Sequence, residues 1–372
     1  MKLNRLQNAA GFSLVELMVA LVLGLLIVGG MVSVFAGNKR SSELNTAIAD
    51  VQENARFALE QIANDIRMAG YQGCVDVNEA NVSVIASAPP TTSLSETAVL
   101  GSVVNSVSSW TPAPPAGFDV SNRNGVVGSH VLTLQYGGPQ IGRLAEGQRL
   151  GGTGDLDSSL PLVVDSPASD PFRIFAGDYA IVANCANAEL FSVTGVASGN
   201  ETVTVSHGTA SNDRDDFIQA HGQDDAILAE TQVLRFNSNV YYVADSGQTN
   251  SSGDVITSLY RQSLPYTSNP PIEMVQGVEN MRIAFGVQSP GGLVYVSADD
   301  SAFDPTQVEA IQVGLLISSW DRVSDSNDTG VYILAGQAIS PPGGSLATTQ
   351  THAADQRIRL AFNTTVTIRN RR

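Results

Sequence analysis

Residues 11–36 read GFSLVELMVALVLGLLIVGGMVSVFA, and the architecture turns on this stretch. After Met18 the only polar side chain before Gly37 is Ser33. As a helix, Phe12 to Ala36 would measure roughly 37 Å, enough to cross a bilayer core of about 30 Å with some tilt. The residues before it, MKLNRLQNAA, are short, polar and positive, carrying Lys2 and Arg5. An ordinary secretory signal has an apolar stretch of about 7–15 residues closed by a small-residue cleavage site. This run is longer and no Ala-x-Ala site follows it, so the apolar segment stays with the mature protein. Glu16 is the anomaly. A carboxylate near the start of a spanning helix costs about 2.5–3.5 kcal/mol on insertion scales and needs a partner. A snorkelling interfacial Glu close to the helix end is one reading, and a cation brought by another chain is the other.

Downstream, residues 38–69 contain no proline and keep a helical period. Leu44, Ile48, Val51, Ala55, Ala58, Leu59, Ile62, Ile66 and Ala69 recur at three- and four-residue steps, while Glu43, Asp50, Glu53, Arg56, Glu60, Asp65 and Arg67 fall mostly on other faces. The pattern predicts one continuous helix over 12–69, roughly 87 Å long. Its spanning half (12–36) is apolar all round and its second half (37–69) carries one apolar stripe, suited to lie against a sheet. A membrane-anchored coiled coil is the alternative, with room for about four heptads before Gly70. Gly24, Gly29 and Gly30 each weaken the helix by up to about 1 kcal/mol. They permit close helix packing, or partial unwinding of this stretch when the chain leaves the bilayer.

After Gly70 and Gly73 the helical period stops. Residues 82–118 are rich in Ser, Ala, Val, Thr and Pro and read as an irregular surface insertion. Residues 137–172 form a second Gly/Pro/Asp/Ser-rich loop region. Alternation typical of strands recurs at 130–136, 179–184, 190–196, 201–206, 232–236, 240–244, 255–261, 278–287, 293–297, 308–319, 331–334 and 357–369. Asn237-Ser238-Asn239 reads as a hairpin turn between two of them. The expected fold is α+β, a long N-terminal helix packed on a large, mainly antiparallel β head over 70–372.

Of the 372 residues 43% are apolar and 15% charged, with a formal charge of −16. An acidic body repels phosphate backbones, so nucleic acid is a poor default partner. Cys74 and Cys185 lie far apart, with no CxxC or Cys/His cluster. In an exported chain an even pair points to a disulfide over a metal site, and such a bond would pin the head to the stalk. No Gly-x-Ser-x-Gly elbow or phosphate loop is present. His130, His207, His221 and His352 are scattered without metal-ligand spacing and are expected in loops or at the surface. Asp325–Gly330 opens like a calcium loop, but its twelfth position is Gly336 where a bidentate Glu is required. Asp213, Asp215, Asp216, Asp224 and Asp225 form an acidic cluster expected to be solvated. These features predict no enzyme, no metal and no cofactor.

The string Gly11-Phe12-Ser13-Leu14-Val15-Glu16 resembles the class III leader of type IV prepilins and pseudopilins. The resemblance implies removal of residues 1–11 by a prepilin peptidase cutting between Gly11 and Phe12, followed by N-methylation of Phe12. It also implies that Glu16 meets the N-terminal ammonium of a neighbouring subunit and sets subunit register. Gly177–Cys185, Leu259-Tyr260-Arg261, Val275–Glu279 and Thr367–Asn370 resemble the PilW family of minor pilins, which shares the long helix, the cysteine pair and the Arg-Asn ending. That resemblance implies a non-enzymatic subunit that helps initiate type IV pilus assembly and supports piliation, twitching motility and adhesion. Its implied partners are sister minor pilins, the major pilin, the inner-membrane assembly platform and membrane lipid. The implied location is the bacterial inner membrane, with a periplasmic head, and then the extracellular pilus. A pseudopilin of type II secretion and a membrane-tethered adhesin are the alternatives.

Overall fold

The computed structural model describes residues 13–74, 81–93, 96–145, 148–151, 159–164, 174–199, 202–219, 221–222, 231–266, 268–343 and 350–370. Gly11 and Phe12, and with them the expected cleavage and methylation positions, lie outside the described residues, as do Asp224 and Asp225.

The apolar run and the striped run form one helix, α1 (Leu14–Met68), unbroken through Gly24, Gly29 and Gly30. Ser13 precedes it in an extended conformation. The helix ends where Gly70 takes a left-handed φ of +76°, a conformation that costs glycine no steric penalty. Gly70 then donates its N–H to the Gln135 carbonyl at 2.9 Å, so the chain passes directly from helix to sheet. The predicted stripe is the buried face: Val51, Ala55, Ala58, Ile62 and Ile66 are fully buried.

Among the described residues, the strands of the head run in chain order as follows. The first group is β1 (Asn81–Val84), β2 (Val99–Ser106), β3 (Ser109–Thr111), β4 (His130–Leu144), β5 (Arg149–Leu150), β6 (Ser159–Val163) and β7 (Tyr179–Ala183). Next come β8 (Asn187–Ser192), β9 (Gly195–Ser198), β10 (Thr202–Ser206), β11 (His221–Gly222), β12 (Gln232–Thr249), β13 (Val255–Ser263) and β14 (Ile272–Gln276). The last are β15 (Val278–Ser289), β16 (Gly292–Val296), β17 (Val308–Ser318), β18 (Tyr332–Leu334), β19 (Gln337–Ile339) and β20 (Arg359–Thr367). One large sheet follows the order β1-β8-β7-β12-β4-β6-β10-β9, with β13 and β14 continuing from β12 and with β2 and β3 continuing from β4. A second sheet has the order β16-β15-β17-β20. Pairing is antiparallel in both, apart from the parallel β1–β8 pair. The helix stripe, one face of the large sheet (Leu132, Leu134, Tyr241, Val243) and one face of the second sheet (Ile283, Phe285, Val313, Leu315) share a single core. The sheets approach closely at Gly101, where a Cβ would lie 2.5 Å from Ala298 Cβ.

Four expectations are corrected. Asn237-Ser238-Asn239 is no hairpin turn but the middle of β12. On one side β12 pairs with β7 through Arg235 and with β13 from Asn239, while β4 runs along its other side. The polar triplet therefore marks a change of partner rather than a reversal. The 82–118 segment is no surface insertion: it supplies β2 and β3, and Trp110 and Phe118 are buried against Tyr242. The 137–172 loop region contains the end of β4, together with β5 and β6, whose Leu160 and Leu162 are buried. The strand expected at 190–196 is two strands, β8 ending at Ser192 and β9 starting at Gly195.

Candidate functional site

Among the described residues, the first half of α1 stands clear of the head. From Leu14 to Phe35 its large apolar side chains are 53–76% exposed, and its most apolar window has a mean hydropathy of 2.7. A Cβ added at Gly24, Gly29 or Gly30 would find open space, so the chain itself does not use the close approach those glycines permit. Glu16 stands in the first turn of this exposed, apolar rod. Such a surface requires lipid or other apolar helices around it.

The second half of α1 is fastened to the head by polar contacts as well as by its stripe. Asp65 accepts hydrogen bonds from Tyr136 Oη at 2.9 Å, Asn239 Nδ2 at 2.7 Å and Tyr241 Oη at 2.6 Å. Burial raises both tyrosine hydroxyls well above their ordinary pKa, and the neighbouring Asp65 charge adds to this, so both remain donors. At the helix C-terminus Asn370 Nδ2 donates to the carbonyls of Arg67 at 3.2 Å and Met68 at 3.4 Å. These are carbonyls that a helix end leaves unpaired. Cys74 and Cys185 form a disulfide with Cα atoms 4.8 Å apart, joining the segment just past the helix to the turn between β7 and β8. Just past the apolar half of α1, Arg40 pairs with Asp325 on the head. Asp325 and Asp328, the acids of the calcium-like stretch, are thus engaged otherwise: Asp328 accepts from Tyr332 Oη at 2.9 Å and lies 3.4 Å from Arg359 Nη1.

An ion network ties the second sheet to the segment that leads into β20. Arg359 spans Glu279, at 2.8 and 3.0 Å, and Asp355, at 2.9 Å. Arg357 pairs with Glu279 at 3.0 Å and with Asp355 at 2.9 Å. Burial works to raise the Asp355 carboxyl, but hydrogen bonds from Arg359 and from the Arg357 backbone hold it down to about 2.

The four histidines contradict the expectation of surface loops: all are buried. His130 Nε2 lies 2.7 Å from Arg282 Nη1 and its Nδ1 lies 3.1 Å from the Ile283 carbonyl, so the neutral ring donates from Nδ1 and accepts from the guanidinium. Burial, then the Arg282 charge, lowers its pKa to about 4. His221 Nε2 is 2.9 Å from Glu189, which also accepts from Ser83 and from the N–H groups of Ile218 and Gln219. Among the described residues no cluster of three His, Cys, Asp or Glu side chains could hold a metal ion. The Asp65 and Asn370 contacts escaped sequence reasoning. The one available signal was the closing Arg-Asn pair.

An exposed apolar helix whose striped half is clamped to a β head is the construction of a type IV pilin-like subunit. Residues 6–32 match the prokaryotic N-terminal methylation motif, and residues 240–370 match the family described as Type IV Pilus-assembly protein W. With both signatures on one chain, the matches support a type IV pilin-like subunit of the PilW type. The Gly177–Cys185 stretch lies outside the matched segments. Among solved structures the chain is similar to a type IV-like pilin from Thermus thermophilus, at 17% identity, covering 36% of this chain and 78% of that one with a TM-score of 0.19. No curated protein matches the chain.

Proposed function

We propose that this chain is a structural, non-enzymatic minor pilin that helps initiate assembly of the type IV pilus and is incorporated into it. The carrying observation is Glu16, a lone carboxylate on a rod whose apolar side chains are exposed all round. In lipid that charge is costly. In a bundle of like helices, a neighbour cleaved after Gly11 and N-methylated at Phe12 supplies a cation at the required place. Before assembly the same rod anchors the subunit in the inner membrane, the head periplasmic. Sister minor pilins, the major pilin, the prepilin peptidase and the assembly platform are the partners this reading requires. Piliation, twitching motility and adhesion follow as its consequences in the cell.

Mass spectrometry of sheared filaments tests the proposal. The expected result is this chain among the filament proteins, beginning at a methylated Phe12. A chain that begins at Met1 and stays in the membrane fraction of piliated cells would overturn it. Purification of the chain with a secretion machine instead of pili would transfer it to the pseudopilin alternative.

A further inference from the structure

The helix-bearing face of the large sheet continues past the end of α1. Along β12, Tyr241 and Asn239 lie under the helix end and bond to Asp65, whereas Asn237 and Arg235 extend beyond it. On the neighbouring strand, Arg261 sits opposite Tyr241 and Ser263 opposite Asn239. The uncovered part of this face forms a groove of about 760 Å³, with Arg235 and Arg261 in its lining.

Of the two arginines, Arg235 is paired, with Asp178 at 3.4 Å. Arg357 and Arg359 each meet carboxylates at 3.0 Å or less. Arg261, by contrast, has no carboxylate within 4 Å among the described residues, and its Nε is buried without a hydrogen-bond partner. The nearby acids are committed elsewhere. Asp65 already accepts from Tyr136, Asn239 and Tyr241. Asp178 accepts from the Phe175 N–H at 3.0 Å and sits 3.4 Å from Arg235. The Leu259-Tyr260-Arg261 motif is explained by packing only in part. Leu259 enters the core, Tyr260 stacks on Tyr242 at 5.7 Å, and Arg261 meets the Tyr241 hydroxyl, a neutral partner that leaves its charge unmatched. A guanidinium held at a groove wall recognises planar oxyanions at short range, and here it does so on a chain whose overall charge of −16 repels anions at long range.

We propose that this groove binds an acidic peptide segment of another protein chain, with Arg261 and Arg235 gripping a side-chain carboxylate. The rest of the lining favours a peptide over a free acid. Exposed Phe175 and Ile272 stand at the rim beside Pro265 and Pro270, offering an apolar shelf to the residue next to the acid. Ile272 also begins β14, which among the described residues pairs with β13 alone and so offers its other backbone edge to an extended chain. The site is on the head and goes beyond the filament reading, which rests on the helix.

The test is saturation-transfer NMR on the detergent-solubilised full chain. The probes are acetyl-Ala-Glu-Ala-amide, its Gln counterpart and N-acetylneuraminate. The Glu peptide should bind about tenfold more tightly than the Gln peptide, the loss expected for a charge-assisted hydrogen bond. Arg261→Gln should remove that preference, and Arg261→Lys should retain part of it. Should Arg261→Gln lower the thermal midpoint enough to compromise the head, Arg235→Gln at the groove rim carries the same expectation. Equal binding of the Glu and Gln peptides, an unchanged preference in both Gln variants, or binding of N-acetylneuraminate without the Glu peptide would overturn the proposal.

Discussion

Asn370 donates from its side-chain amide to the carbonyl oxygen of Arg67 at 3.2 Å, across 303 positions of sequence. The bond couples the strand that closes the second sheet to the end of the helix that carries the apolar rod. The PilW match runs from residue 240 to this asparagine. It covers most of what the helix rests on: the second half of β12, then β13, β14 and the whole second sheet. The strands between 81 and 206 lie outside it.

Replacing Asn370 with Ala should therefore loosen the helix end without disturbing either sheet. A side-chain bond to a helix carbonyl is worth about 1 kcal/mol, so urea unfolding should show a loss of this size. Asn370→Asp should lose more, because it places a negative charge against the negative end of the helix dipole. Hydrogen exchange at residues 66–71 is the local check. Unchanged exchange there in Asn370→Ala would remove the capping role.

Asp65 should matter more. Asp65→Ala strands the Tyr136 and Tyr241 hydroxyls at once and leaves the Asn239 amide only Tyr136 Oη, at 3.2 Å. Leaving buried donors without an acceptor costs on the order of 2–3 kcal/mol. Asp65→Asn keeps one acceptor oxygen and should lose less, while Tyr241→Phe in the Asp65→Ala background should recover part of the deficit. A double-mutant cycle in thermal denaturation measures the coupling, and strictly additive losses would mean the contact contributes nothing of its own.

Much of this arrangement was legible before the structure, and what was hidden has a physical explanation. The stripe through Val51, Ala55, Ile62 and Ile66 announces itself by period alone, as do β15 and β17 by their apolar runs. Asp65 does not, because a periodicity reading assigns charged side chains to solvent, and its donors sit up to 176 positions away. The Glu279–Arg359 pair is similarly remote, separated by 80 positions. Trp110 and Phe118 were masked by Pro- and Ser-rich surroundings, although a large aromatic in such a stretch is itself a reason to look for a core. Burial of the histidines leaves no trace in their spacing, which argues only against a metal site.

His130 makes stability depend on pH, with a definite sign. Its folded pKa is about 4 against an ordinary value of 6.5. Between those values the unfolded chain binds a proton that the folded chain does not, so stability rises with pH. The contribution is complete above about pH 6.5 and is lost as pH falls towards 4, a swing on the order of 3 kcal/mol. Asp355, held at about 2, adds a further loss only at more acid pH, below its ordinary value of 3.8. Denaturation midpoints from pH 7 to 4 should therefore fall in the wild type and fall less in His130→Gln. Parallel profiles would show that His130 does not govern this range.

Under the proposed function Glu16 serves assembly and not folding, so its replacement separates the two. The side chain is solvent-exposed in the single chain and lies at the opposite end of α1 from the Asp65 and Asn370 contacts, so Glu16→Ala should leave the thermal stability of the head unchanged. In the membrane the variant should insert at least as well as the wild type, since it removes a charge worth about 2.5–3.5 kcal/mol on insertion scales. In the filament it should fail, because the ammonium of the adjoining helix would be left buried without its counter-charge. Glu16→Gln separates charge from shape: it keeps the length and a hydrogen-bond acceptor, and should be recovered at a level between the wild type and Ala. The readout is the ratio of this chain in sheared filaments to that in membranes, expected to drop about tenfold or more for Glu16→Ala. If the Ala variant enters filaments at the wild-type ratio, apolar packing alone drives incorporation and the carboxylate serves some other purpose.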